Sequence, residues 1–348
     1  MSLLPIPEHY QLSQVGQVWR VPYQQRVQEA IAWRAEHHLA PAAEDAQRVG
    51  LLLIDVQNTF CIPGFELFVG GKSGQGAVED NQRLCEFIYR NLGQITQILA
   101  TLDTHTVTQI FHPIFWIDEA GQHPAPMTVI AAEDVAQGRW RVNPAAARVT
   151  TQSELWLQDY GAHYVSCLTA NSKYPLVIWP YHGMLGGIGH ALVSAVEEAC
   201  LFHNVARQSQ THLEQKGSNP LTENYSALRP EVEVDHSGQA IAAPNTAFLE
   251  RLLHFDRLIV AGQAQSHCVA WTVSDLLSEL RSQRPDFIER VYLLEDCTSA
   301  VVAPGADFTP QAEAAFAEFA AAGMHRVSST EAMMDWPGMA GPHSERAL

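Results

Sequence analysis

Short apolar runs of strand length, such as Leu51-Leu52-Leu53-Ile54 and Leu258-Ile259-Val260-Ala261, alternate along this chain with stretches of helical periodicity. The pattern predicts strands over 50–55, 97–102, 163–168, 175–179, 257–262 and 290–295, and helices over 78–92, 186–201, 245–254, 268–282 and 310–322. Strands separated by helices point to right-handed βαβ units, hence an α/β fold with a parallel sheet. Ligands of such sheets sit beyond the carboxyl ends of the strands, and Asp55, Asp103 and Cys268 each fall at such an end. The main domain is read as 49–335. Residues 1–48 are mixed and aromatic, with a helix over 24–38 and Trp19, Tyr23 and Trp33 available to pack this arm on the main body. The stretch 106–174 breaks the rhythm with Pro113, Pro124, Pro126 and Pro144, as an inserted lid or assembly region would. The tail 336–348 is expected to be loose.

Composition narrows the function classes. The chain has 348 residues, 47% of them hydrophobic, enough for one large α/β domain with insertions or for two domains. A net charge of −17 argues against nucleic-acid or anionic-membrane surfaces as partners. Six scattered cysteines with no CxxC pair suit reduced thiols rather than a disulfide scaffold. No basic-then-apolar leader and no membrane-length apolar run is visible, so the expected setting is soluble and cytoplasmic.

Three separated segments carry the candidate chemistry. Cys268 opens a helix after a buried strand and a small-residue turn, where helix amides and a nearby cation lower a thiol pKa and prepare a nucleophile. Asp55, delivered by an apolar run, is the candidate base, and Lys216 the candidate cation. A second group is Asp103-x-His105, whose side chains share one face of an extended segment. Together with the distant His182 they make a carboxylate and two imidazoles suited to Zn²⁺, Fe²⁺ or Mn²⁺. His112 is a further candidate ligand in the loop that follows, with an ordinary loop histidine beside Pro113 as the alternative.

Five motifs in one order resemble the isochorismatase-like cysteine hydrolases, and among them the nicotinamidases. They are Asp55-Val56-Gln57-Asn58-Thr59-Phe60, Asp103-x-His105, Trp179-Pro180-Tyr181-His182, Lys216-Gly217 with Tyr225-Ser226-Ala227, and Gly262-Gln263-Ala264-x-x-x-Cys268-Val269. The stretch Asp296-Cys297-Thr298-Ser299-Ala300-Val301 and the segment to Met324 resemble the family's closing helix and strand. The resemblance implies a three-layer α/β/α fold with a six-stranded, mostly parallel sheet. It implies Cys268 as nucleophile, Asp55 as proton acceptor and Lys216 as the stabiliser of the thiolate. Backbone amides of Ala264 and Cys268 would form an oxyanion hole after a cis peptide at Gln263–Ala264. Asp103, His105 and His182 would hold one divalent metal, Zn²⁺ first, that receives a pyridine nitrogen. Phe60 and Trp179 would sandwich the ring, with Gln57 also on the substrate side. A homo-oligomer is expected, because such enzymes often assemble.

The expected reaction is hydrolysis of nicotinamide to nicotinate and ammonia through a thioester on Cys268. Two alternatives stay open: a cysteine hydrolase of another small carboxamide, ureido or carbamoyl substrate, and a catalytically idle binding or assembly protein. The chain also departs from the family. Thr59 stands where an acidic residue is common, His112 is one position off the usual spacing, and 77 residues separate His105 from His182.

Overall fold

In the computed structural model, which describes residues 3–170, 174–303 and 305–339, six strands form one sheet. They are β1 (Val49–Ile54), β2 (Gln97–Asp103), β3 (His212–Lys216), β4 (Arg257–Gly262), β5 (Val291–Leu294) and β6 (His325–Val327). The order is β6-β5-β4-β1-β2-β3, and every neighbouring pair is parallel. The chain winds outward from β1 to β3, returns to β4, and winds the other way. This places the switch point between β1 and β4, where the loops diverge and leave a crevice at the carboxyl ends.

Side chains of the central strands alternate between two cores. Val49, Leu51 and Leu53 of β1 and Ile259 and Ala261 of β4 pack with α2 (Gly76–Arg90) and α4 (Ser194–Arg207). Leu52, Ile54, Leu258 and Val260 face the other way, against α5 (Ala270–Gln283) and α6 (Thr309–Ala321). The result is the expected three-layer α/β/α fold. Strand β1 lies so close to its parallel neighbour β4 at Ile54 that a Cβ on Gly262, at φ +121°, would lie 2.1 Å from the Ile54 carbonyl oxygen, so only glycine fits. In the N-terminal segment, α1 (Tyr23–Glu36) lies on α4, where Arg26 Nε donates to Glu198 at 2.7 Å.

Several elements differ from the sequence reading. Residues 163–168 are not a strand but part of α3 (Glu154–Ala170), whose buried Leu157, Tyr160, Gly161, Tyr164, Val165 and Leu168 repeat at helical spacing. Of 175–179 only Leu176–Val177 is a strand, paired antiparallel with Val129–Ile130 outside the main sheet. Helix α4 begins at Ser194 rather than 186, since three glycines within 186–189 hold the chain in a loop. The start of the supposedly loose tail is packed: Trp336 is buried and stacks on Phe87 and Tyr292. Residues 340–348 lie outside the described residues. The inserted stretch is no detached flap, because Phe111, Phe115, Trp116, Tyr160 and Tyr164 join Leu52, Ile54 and Val260 in one core.

Candidate active site

The crevice between β1 and β4 is where the separated motifs meet. Asp55, one residue past β1, is fully buried and takes a left-handed φ of +48°, a strained conformation that aspartate tolerates better than most residues. Thr101 on β2 fixes it twice: its hydroxyl donates to Asp55 Oδ1 at 2.5 Å and accepts the Asp55 N–H at 2.9 Å. Lys216 ends the edge strand β3 and reaches inward. Its Nζ lies 3.0 Å from Asp55 Oδ2, 2.8 Å from Asp103 Oδ1, 2.7 Å from the Asn224 carbonyl and 3.6 Å from Cys268 Sγ. Cys268 sits in the wide helical turn Gln265–Val269 that leads into α5, after the expected cis peptide at Gln263–Ala264. Sulfur, carboxylate and ammonium are thus within direct reach of one another.

Charge balance decides the resting protonation. Burial drives the Cys268 thiol well above its ordinary range, with Lys216 pulling against that and the carboxylates of Asp55 and Asp103 adding to it. Burial also raises Asp55, opposed by Lys216. Burial alone would lower Lys216, but Asp103 and Asp55 outweigh it and hold the ammonium well above its usual range. The site therefore rests with its sulfur protonated, beside a carboxylate able to accept that proton and a cation able to hold the charge left behind.

A second cluster adjoins the first. His105, His112 and His182, all buried, each bring a ligand atom to within 4.8 Å of the others. Each ring directs Nδ1 at a carbonyl oxygen: His105 at that of His182 (3.0 Å), His112 at Val107 (3.1 Å) and His182 at Pro180 (2.8 Å). A carbonyl only accepts, so Nδ1 carries the hydrogen and Nε2 presents a lone pair. The Nε2 of His105 and His182 face Asp103 oxygens at 3.1 and 3.5 Å, and the Nε2 of His112 is buried without a hydrogen-bond partner. Lone pairs aimed at a carboxylate and at each other need a cation among them, so this donor set fits a divalent transition metal. Burial keeps His112 neutral by lowering it to about 3, and likewise lowers His182. Sequence spacing left His112 insecure. The turn at Pro113 brings it into the group, while Asp103 lies between the histidines and Lys216. Gly217 clears the space, since a Cβ there would come within 2.9 Å of His105 Nε2.

Both clusters open on one cavity of about 340 Å³, lined also by Phe60, Trp179 and Ala264. Phe60 meets the His182 ring edge to face at 5.7 Å. Gln57 does not reach the cavity. Its amide donates to the Asp103 and His190 carbonyls at 3.0 and 2.9 Å and accepts the Asp103 N–H at 2.7 Å, so it holds the backbone of Asp103 instead. Two acidic residues went unread in the sequence. Glu66 accepts from Thr59 at 2.9 Å and lines the cavity, so a carboxylate is present beside the position where the motif lacks one. Glu223 is buried, lines the cavity, and accepts from Trp179 Nε1 at 2.8 Å. An acidic residue inside Leu221-Thr222-Glu223-Asn224-Tyr225, next to a motif segment, was the available signal.

No protein-family model and no curated protein matches the sequence. Among solved structures, the chain is similar to a nicotinamidase/pyrazinamidase of Acinetobacter baumannii, with 19% identity over 82% of this chain and 99% of that one and a TM-score of 0.48. It is similar also to a pyrazinamidase of Pyrococcus horikoshii in complex with zinc, with 16% identity, 81% and 99% coverage and a TM-score of 0.43. An isochorismatase-like hydrolase of Alkaliphilus metalliredigens gives 10% identity, 81% and 95% coverage and a TM-score of 0.40. The functional reading stands on the side chains.

Proposed function

We propose that the protein is a metal-dependent cysteine amidohydrolase that converts a small aromatic carboxamide, nicotinamide first, to the acid and ammonia. The observation that carries this reading is the Lys216 ammonium held 3.6 Å from Cys268 Sγ and 3.0 Å from Asp55 Oδ2, beside three converging imidazoles. Asp55 takes the thiol proton as sulfur attacks the carboxamide carbon, and Lys216 holds the negative charge as it moves from sulfur towards oxygen. Backbone amides of Ala264 and Cys268 receive the oxyanion. Asp55 returns the proton to the leaving nitrogen, ammonia departs, and a thioester remains. Asp55 then takes a proton from water as hydroxide attacks the thioester, the C–S bond breaks to release the acid, and the thiolate recovers the proton from Asp55. His105, His112 and His182, with Asp103 beside them, would hold a divalent metal, which when bound supplies a Lewis acid for a ring nitrogen. Phe60 and Trp179 flank the ring.

Ammonia release from nicotinamide by the purified protein tests the reading, with Cys268→Ala alongside and metal content measured by mass spectrometry. The expected result is turnover in wild type, a loss of at least about 10⁴-fold in Cys268→Ala, and close to one transition metal per chain. Equal trace release by both proteins would end the amidase reading. Turnover of carbamoyl compounds by a metal-free protein would move it to that substrate class.

A further inference from the structure

The cavity of about 340 Å³ that contains Cys268 is lined by two kinds of side chain. The buried part is polar and carries the thiol, Asp103, His105 and His182. The outer, half-buried part is walled by Phe65, Leu67 and Phe68 from one segment and Val301, Val302 and Ala303 from another. Both walls are pinned to the catalytic motifs. Leu67 N and Val69 N donate to the carbonyls of Thr59 and Phe60 at 3.2 and 2.8 Å, and Val301 N donates to Ser266 Oγ at 3.1 Å, two residues before the nucleophile. Val302 and Ala303 are stiffened by antiparallel pairing with Asp307 and Ala306. The outer chamber is therefore preformed and continuous with the reacting centre, as ligand pockets generally are.

Charge adds a second constraint. Among the described residues the lining holds Glu66, Glu223 and Asp103 and neither lysine nor arginine. Lys216, close behind it, is already engaged by two carboxylates and a carbonyl. A carboxylate or phosphate carried on a substrate extension in this outer part, away from the metal that the histidines would hold, would meet apolar side chains and neither lysine nor arginine, at a heavy desolvation cost.

We propose that the substrate is an uncharged carboxamide with an apolar extension, which lies between the 65–68 and 301–303 walls while the amide meets Cys268. This specificity rests on the amidase reading for its chemistry but can be tested by binding alone. The experiment is calorimetric titration of Cys268→Ala protein, purified with its metal, with nicotinamide, nicotinamides bearing propyl or phenyl at ring position 5 or 6, and the phenyl compound with a para-carboxylate. At one ring position, affinity is expected to rise by roughly threefold to fourfold per methylene seated against the walls, and the carboxylate is expected to cancel the gain. Ala303→Trp in the same background, which fills the chamber, should return the extended amides to the affinity of the parent; Val301→Phe serves if that variant does not fold. If no extended amide binds better than nicotinamide, if the carboxylate binds best, or if the gain survives the filled chamber, the proposal is overturned. Ammonia release by wild type, measured separately, decides whether the amidase reading itself holds.

Discussion

The strand ends and the inserted stretch 106–174 are built on opposite principles. At the strand ends, Asp55, Asp103, Lys216 and Cys268 are almost completely removed from water. Burying three charges in one place is costly, and the two carboxylates are retained because the Lys216 ammonium lies against both. Among the described residues, the insertion buries Trp116, Tyr160 and Tyr164, side chains that carry no charge, and gives the cavity one apolar side chain, Met127. It also lends His112 to the imidazole group. One region gives up stability to hold chemistry, and the other provides the packing that lets it do so.

Removing Lys216 should separate the two regions most sharply. Lys216→Ala leaves Asp55 and Asp103 buried without their shared cation, so it is expected to lower stability by about 3–5 kcal/mol. It should also cut kcat/KM by on the order of 10³-fold. Denaturant melts alongside kinetics check both. A large loss of activity with an unchanged melt would show that a proton on one carboxyl replaces the ammonium. In the other region, Trp116→Ala is expected to cost a similar 3–5 kcal/mol through the cavity it leaves. Its kcat/KM, corrected for the folded fraction, should stay within a few-fold of wild type. A drop as deep as that of Lys216→Ala would mean that the insertion shapes the site directly.

The same contrast explains what the sequence disclosed. Strands β1, β2 and β4 lie at the centre of the sheet, buried on both faces, so each is an apolar run with its functional residue at or just beyond the end. Strand β3 is an edge strand, His212-Leu213-Glu214-Gln215-Lys216, mostly polar and half exposed, and no apolar run marks it. Lys216 was read as the candidate cation with no strand assigned to carry it. In α3 the segment His163-Tyr164-Val165-Ser166-Cys167-Leu168 is rich in strand-forming types, and the helical spacing emerges only over the longer stretch from Leu157. His112 and Glu223 were hard to place for another reason. Their roles depend on how long loops return to the sheet, and no local pattern encodes that return. Gln57 was assigned to the substrate because it sits in the Asp55 motif, whereas its side chain is consumed by backbone hydrogen bonds.

A smaller effect sharpens the comparison where the two regions touch. Glu223 lies between them, bonded to Trp179, with its backbone N–H donating to the Tyr164 hydroxyl of α3. Burial raises its carboxyl to about 8, helped by the charge of Glu231, with Trp179 and Tyr225 working in the opposite direction and Asp103 adding slightly. The unfolded chain releases this proton near the ordinary glutamate value, so between roughly pH 4.5 and 8 the native state binds more protons than the unfolded one. The stability associated with the protonated carboxyl is complete below that window and is lost as pH rises through it. Glu223→Gln keeps an oxygen for the Trp179 indole and cannot ionise. It should match wild type near pH 5 and exceed it by on the order of 2–3 kcal/mol at pH 8, as read by urea melts at both values. Parallel pH profiles for the two proteins would show that Glu223 is ionised throughout. The junction between insertion and sheet would then hold a charge of its own, as the strand ends do.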